Sequence, residues 1–140
     1  MVENVIIVNG PCGAGKSHLI AQKYPELPKI DMNNLRIEVE GLGITGSYDN
    51  YYHRMGLLES RLLSSADKTL VIEGIFAPGT QSYRWLLGML KRMNIKFSFD
   101  HPDYTLAVAL QRLINDYNKD WDEDRLRARA ELLLRYYKEF

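Results

Sequence analysis

The sequence predicts an α/β three-layer sandwich, a compact parallel sheet of about four strands flanked by helices. Three observations lead there. Short apolar runs rich in β-branched residues alternate with longer segments whose apolar residues recur at helical spacing. The first run leads directly into Gly10-Pro11-Cys12-Gly13-Ala14-Gly15-Lys16-Ser17, a complete G-x-x-x-x-G-K-[ST] segment, and a helical stretch follows it. Finally, 140 residues at 46% hydrophobic and 26% charged suit one domain with a genuine core, so residues 1–140 are expected to form a single unit.

Each element has its own justification. Asn4-Val5-Ile6-Ile7-Val8-Asn9 reads as a buried parallel strand. Ser17 to Lys23 continues as a helix, and Pro25 and Pro28 bracket the loop after it. Lys29-Ile30-Asp31 is a brief second strand; Met32 to Glu40 is a short helix stopped by Gly41 as a C-terminal glycine. Tyr51, Met55, Leu58 and Leu62 form a helical stripe. Thr69 to Gly74 is the next buried strand, and Pro78-Gly79-Thr80 starts a helix whose apolar face is Tyr83, Leu86, Leu87, Leu90 and Met93. Lys96 to Asp100 is the fourth strand. Asp103 then caps a helix carrying Leu106, Leu110, Leu113, Ile114 and Tyr117. Asn115 to Asp122 reads as a polar break before a last helix with Leu126, Ala130, Leu133, Leu134 and Tyr137 inward. Strands separated by helices give right-handed βαβ units, with chemistry expected at the carboxyl ends of the strands.

The segment from Gly10 to Ser17 has the parts of an anion site. Successive backbone N–H groups between a strand and a helix N-terminus point inward, and the helix dipole favours phosphate. Lys16 is placed to reach the β- and γ-phosphates of a nucleoside triphosphate, and the Ser17 hydroxyl to ligate Mg²⁺. Glu73, ending an apolar strand, suits a carboxylate that orients the same ion; its plainer reading is a strand-end group facing solvent. Cys12 reads as a small loop residue, not a nucleophile. Two other motifs compete. Gly41-Leu42-Gly43-Ile44-Thr45-Gly46 matches G-x-G-x-x-G, but that fingerprint belongs directly after a strand, and the residues before it read at least as well as helix. Asn118-Lys119-Asp120-Trp121 falls one residue short of a guanine-specifying N-K-x-D, so ATP is the expected donor.

Charge totals are neutral: 18 basic and 18 acidic residues cancel, so no global field draws the chain to nucleic acid or membrane, although a few local arginines suffice to hold a strand end. With a single cysteine there is no disulfide framework. No signal peptide and no long apolar run is evident, so the expectation is a cytoplasmic protein without a membrane span.

Strand, phosphate loop, a short strand ending near an Asp and an Arg, then strand, helix, strand and an Arg-bearing helix resemble the P-loop kinases, within the P-loop NTPase fold. The layout is most similar to the polynucleotide-kinase-like branch, including the phage DNA-hypermodification kinases. The resemblance spans nearly the whole chain, with the phosphate loop its one specific motif. It implies an ATP- and Mg²⁺-dependent kinase acting on a hydroxyl of DNA or RNA, either a polynucleotide 5′-hydroxyl or the hydroxymethyl group of a modified base. A phage-encoded enzyme would work in the host cytoplasm. Family members carry an Asp three residues before an Arg on the acceptor side. Here the Arg is Arg36 and the matching position is Asn33; Asp31 is the nearest carboxylate, with a helix cap as its alternative role. Arg84 resembles the arginine that grips a substrate phosphate. Arg112 matches the first arginine of a lid around residues 112–125, against adenine or phosphate. The second falls at Asp116, leaving Lys119, Arg125 or Arg127 as substitutes. Within Tyr48 to His53, Tyr52 is a candidate to stack on an acceptor base, Tyr51 is core and His53 is structural. The competing readings are a small-molecule, nucleoside or nucleotide kinase, and a nucleotide-binding module without transfer activity.

Overall fold

A computed structural model describes residues 1–10, 15–102, 106–117 and 123–139. In chain order the elements are β1 (Asn4–Asn9), α1 (Lys16–Lys23), β2 (Lys29–Asp31), α2 (Met32–Glu40), α3 (Ser47–Ser64), β3 (Thr69–Gly74), α4 (Gln81–Arg92), β4 (Lys96–Asp100), α5 (Leu106–Tyr117) and α6 (Glu123–Glu139). The four strands form one sheet in the order β2-β3-β1-β4, and every neighbouring pair is parallel. All four expected strands are present.

Strand alternation divides the apolar side chains between two layers. Val5 and Ile7 of β1 and Leu70 and Ile72 of β3 face Met32 and Leu35 of α2, Met55, Leu58 and Leu62 of α3, and Leu86, Met89 and Leu90 of α4. On the other side Val8 and Val71 pack on Ile20 of α1, with Ile6, Leu19, Tyr24 and Leu27 around them. Helices therefore cover both faces of the sheet, as a parallel sheet requires. Among the described residues no helix is long and apolar enough to cross a membrane.

Gly41 caps α2 as expected, with φ −62° in the right-handed region; the left-handed residue of the turn is Gly43 at φ 86°. The Gly41–Gly46 turn follows a helix and leads into α3, so the strand that a dinucleotide fingerprint needs is absent there, as the sequence suggests. Several other expectations need correction. On α4 the buried face includes Met89, while Leu87 is only half-buried. Ile114 and Leu134, expected inward, are 53% and 51% exposed. Each lies beside a more buried position, Leu113 and Leu133, and one residue turns a helix by about 100°. The helix α5 runs through Tyr117, so Asn115 to Tyr117 are helical, not a break. The Asp103 cap, residues 118–122 with Lys119, and the side chains of Leu106, Asp116, Tyr117 and Tyr137 lie outside the described residues.

The end of β4 fastens the end of α1. Asp100 accepts hydrogen bonds from the Tyr24 hydroxyl and from Lys23 Nζ, the latter at 2.9 Å. Burial pushes the Asp100 carboxyl up, but the bonds from Tyr24 and Lys23, the Lys23 charge and the His101 backbone N–H outweigh it, and the group titrates below its ordinary value. A carboxylate held down in this way adds stability above its unfolded pKa of about 4, and that stability is lost as pH falls through the lower folded value. Asp100→Asn should therefore lower stability by about 1–2 kcal/mol at neutral pH. In urea titrations at stepped pH, the gap between wild type and variant should close below about pH 4.

Candidate active site

The register of the sheet sets the site. Asp31 pairs with Glu73, Glu73 with Val8 and Val8 with Asp100, so the carboxyl ends of the four strands are level. Paired residues on parallel strands point to the same face, which here is the α1 side. Lys29, two residues before Asp31, shares it.

The two ends of the Gly10–Ser17 segment are held from several directions. Asn9 is fully buried at the end of β1; its Nδ2 donates to Phe76 O at 2.8 Å and its Oδ1 accepts from Phe76 N at 2.8 Å. Those two bonds mimic one more step of strand pairing after β3 has ended. Gly10 N donates to Gly74 O at 3.4 Å, and His101 Nδ1 lies 3.2 Å from Asn9 O. Gly74 has no room for a side chain: a Cβ there would meet the Phe76 ring at 2.5 Å. On the far side of the loop Gly15 has φ 85°, and nothing lies within 4 Å of its would-be Cβ, so its requirement is conformational, not one of space. Pro11, Cys12, Gly13 and Ala14 lie outside the described residues.

From the first turn of α1, Lys16 Nζ donates to Gly10 O at 2.6 Å, joining the two ends of the loop. Ser17 Oγ donates to Glu73 Oε1 at 2.7 Å. Glu73 is only 5% exposed, and its Oε2 accepts no hydrogen bond although Lys29 Nζ lies 3.3 Å away. A hydroxyl and a buried carboxylate with one oxygen unsatisfied make a hard-oxygen pair of the kind Mg²⁺ accepts beside phosphates and water. Ser17 and Glu73 thus fit the ion, with Lys29 balancing the carboxylate charge from β2. Among the described residues there is no group of three or more His, Cys, Asp or Glu able to hold a metal without such help.

Acceptor-side candidates gather around α2. Asp31 is the N-cap of α2, its Oδ1 accepting from Asn33 N at 2.8 Å. Asn33 Oδ1 accepts from Arg36 Nη2 at 2.8 Å and Nε at 3.2 Å, and Arg36 Nη1 donates to Glu40 at 3.1 Å. Asn33 thereby holds the Arg36 guanidinium from its own helix. Arg84, in the first turn of α4, is exposed and donates to Gly79 O at 2.8 Å. Tyr52 is 56% exposed with its ring 6.0 Å from that of Trp85, while Tyr51 packs edge-on against Trp85 at 5.2 Å, as a core residue should. His53 is exposed and touches only the Tyr52 ring among the described ring contacts. Arg112 lies exposed on α5, Arg125 in the first turn of α6, and Arg127 pairs with Glu123 at 3.4 Å on that helix.

Sequence reasoning missed Asn9, Lys29, Gly74 and His101. The signal for Asn9 was present, since a polar residue ended an otherwise apolar run against the first loop glycine. Asn9→Ala should strand two buried groups of Phe76 and lower stability by about 2–4 kcal/mol, read as a fall in the urea midpoint at unchanged slope. Gly74→Ala should be comparably harmful through the Phe76 clash.

No family model and no curated protein matches this chain. Among solved structures it is similar to "a putative kinase from Chloroflexus aurantiacus J-10-fl", with a TM-score of 0.63 at 16% identity over 95% of this chain and 78% of that one. It is also similar to a chain of the Pnkp1/Rnl/Hen1 RNA repair complex, with a TM-score of 0.60 at 14% identity. That second match takes in 99% of this chain and 46% of the other, so this chain spans about half of that neighbour. The likeness is one of fold, a kinase-like α/β arrangement with a four-stranded parallel sheet.

Proposed function

We propose that this chain is an ATP- and Mg²⁺-dependent kinase that transfers the γ-phosphate to a hydroxyl on nucleic acid. The observation that carries the reading is the contact of Ser17 with Glu73 at 2.7 Å, beneath a loop whose ends are joined by Lys16 and Gly10. It puts a lysine, a hydroxyl and a buried carboxylate together at the N-terminus of α1, where phosphate is favoured. Main-chain amides from Gly10 to Ser17, including Pro11, Cys12, Gly13 and Ala14 as loop members, would cradle the triphosphate. Lys16 would hold its β- and γ-oxygens, and Arg112 would meet the nucleotide from α5. Mg²⁺ beside Ser17 and Glu73 would neutralise the phosphate oxygens.

Asp31 is one strand away from Glu73, about 5 Å between Cα atoms. One of its oxygens caps α2, leaving Oδ2 to take the proton. The acceptor oxygen attacks the γ-phosphorus, the bond from phosphorus to the β–γ bridging oxygen breaks, the proton passes to Asp31 and ADP leaves. Arg36, held by Asn33, and Arg84 would steady acceptor and transferring group. The nucleic-acid acceptor, whether a 5′-hydroxyl or a hydroxymethyl base, is favoured by the exposed Tyr52 ring beside Trp85 and by the likeness to a chain of an RNA repair complex.

The test is transfer of γ-labelled ATP to 5′-hydroxyl DNA and RNA, hydroxymethyluracil-containing DNA, nucleosides and sugars. Label on an oligonucleotide is the expected result. Label only on nucleosides or metabolites selects a small-molecule kinase, and ATP binding with no transfer selects a binding module. Lys16→Ala should abolish transfer to every acceptor. Asp31→Asn keeps a good N-cap, so it should leave the melting temperature unchanged while lowering kcat about 10²–10⁴-fold. An unchanged kcat would mean that Asp31 serves the helix alone.

A further inference from the structure

Unsatisfied polar atoms in the described chain are concentrated in one place. Four buried side-chain atoms lack a hydrogen-bond partner among the described residues; Glu73 Oε2 is in the site above, and the other three are Asn50 Oδ1, Tyr51 Oη and Arg54 Nε. These three lie within about one turn of α3. Asn50, 5% exposed, donates from Nδ2 to Ile44 O at 3.1 Å and to Arg36 O at 3.4 Å, so this turn of α3 abuts the acceptor-side arginine of α2. Arg54, one turn further along the same face, is half-buried with its guanidinium over the Tyr51 ring at 5.4 Å.

The other arginines of α2 and α3 all have carboxylates. Arg36 pairs with Glu40 at 3.1 Å and Arg61 with Glu38 at 2.6 Å. Arg54 has no such pair among the described residues; burial pulls its pKa down and the Arg36 charge adds to that, outweighing the opposite influence of Tyr51 and of the Glu40 charge. A half-buried guanidinium beside a second guanidinium, with Glu40 already bonded to Arg36, is an unfavourable arrangement for the protein alone. An anion with two or more acceptor oxygens relieves it, and the planar fork of arginine matches phosphate bidentately. The Tyr51 ring under Arg54 packs edge-on against Trp85 at 5.2 Å, and Trp85 in turn lies 6.0 Å from the exposed Tyr52 ring, an aromatic surface of the kind a single strand uses together with a cation.

We propose that Arg54, with Tyr51 beside it, is a binding site for a backbone phosphate of the acceptor strand, distinct from the nucleotide phosphates and from the contact of Arg36. The inference rests on the nucleic-acid reading above and names a residue and a ligand group which that reading does not.

The experiment compares wild type, Arg54→Gln, Arg54→Lys and Arg54→Met. Binding of a fluorescein-labelled 5′-hydroxyl DNA strand is followed by anisotropy across salt concentrations, with transfer kinetics on the same strand and fluorescent-ATP binding as the control. Arg54→Gln should weaken strand binding about tenfold and reduce the slope of log K against log salt by about 0.7, the value for one phosphate contact on a single strand. KM for the strand should rise by more than kcat falls, with the ATP Kd unmoved, and Arg54→Lys should recover part of the loss. Replacing one phosphodiester by a methylphosphonate should reproduce the loss in wild type and add nothing in Arg54→Gln. Arg54→Met should melt at or above the wild-type temperature, because it removes an uncompensated charge. Equal strand binding by wild type and Arg54→Gln, or a clear drop in the melting temperature of Arg54→Met, overturns the inference while the kinase reading stands. A wild type that transfers phosphate to nucleosides but to no strand overturns the nucleic-acid reading and this inference with it.

Discussion

The hydrogen bond from Ser17 to Glu73 joins the first turn of α1 to the end of β3, the strand that neighbours β1 in the sheet. It ties helix to sheet at the carboxyl end of the strands, beside Gly15 and Lys16. Glu73 sits in an apolar strand and is nearly inaccessible, so its charge needs compensation nearby. Ser17 supplies a hydrogen bond and Lys29 an opposite charge from the next strand. Lys16, Ser17, Glu73 and Lys29 are brought together by that arrangement.

The same helix is held at its other end by Tyr24 and Lys23 on Asp100. Between the two ties, Ile20 is the buried residue through which α1 meets Val8 and Val71. A short helix with one fully buried side chain contributes little packing energy by itself, and isolated helices of this length are marginal in water. Polar contacts at both termini fix what the thin apolar stripe leaves loose. Across the sheet the larger layer of α2, α3 and α4 carries most of the apolar burial, leaving the α1 side available for charged groups.

The strands were legible because their signals are local. Val5, Ile6, Ile7 and Val8 form a continuous apolar run, which marks a strand covered on both faces. For the same reason that run conceals which residue faces which layer; the polar groups at strand ends, Asp31, Glu73 and Asp100, reveal it only once the register is known. Local rules reach less far in the turns. Gly41 ends α2 as its glycine suggests, but the left-handed residue of that turn is Gly43, two positions on. Arg54 lay inside a stripe already assigned to the core, between Tyr51 and Met55. Its lack of a carboxylate follows from how α2 and α3 pair, with Glu38 and Glu40 committed to other arginines, and no short stretch of sequence encodes that.

The contact between Lys16 and the Gly10 carbonyl has an entropic side. A free lysine carries about 2 kcal/mol of rotamer freedom, which an encounter with a polyanion would otherwise have to quench. Here folding has already confined that long side chain against Gly10. For the phosphate in the proposed function, the donor would be ordered beforehand, so part of the ordering penalty would be charged to the domain when it folds and not to the ligand when it docks.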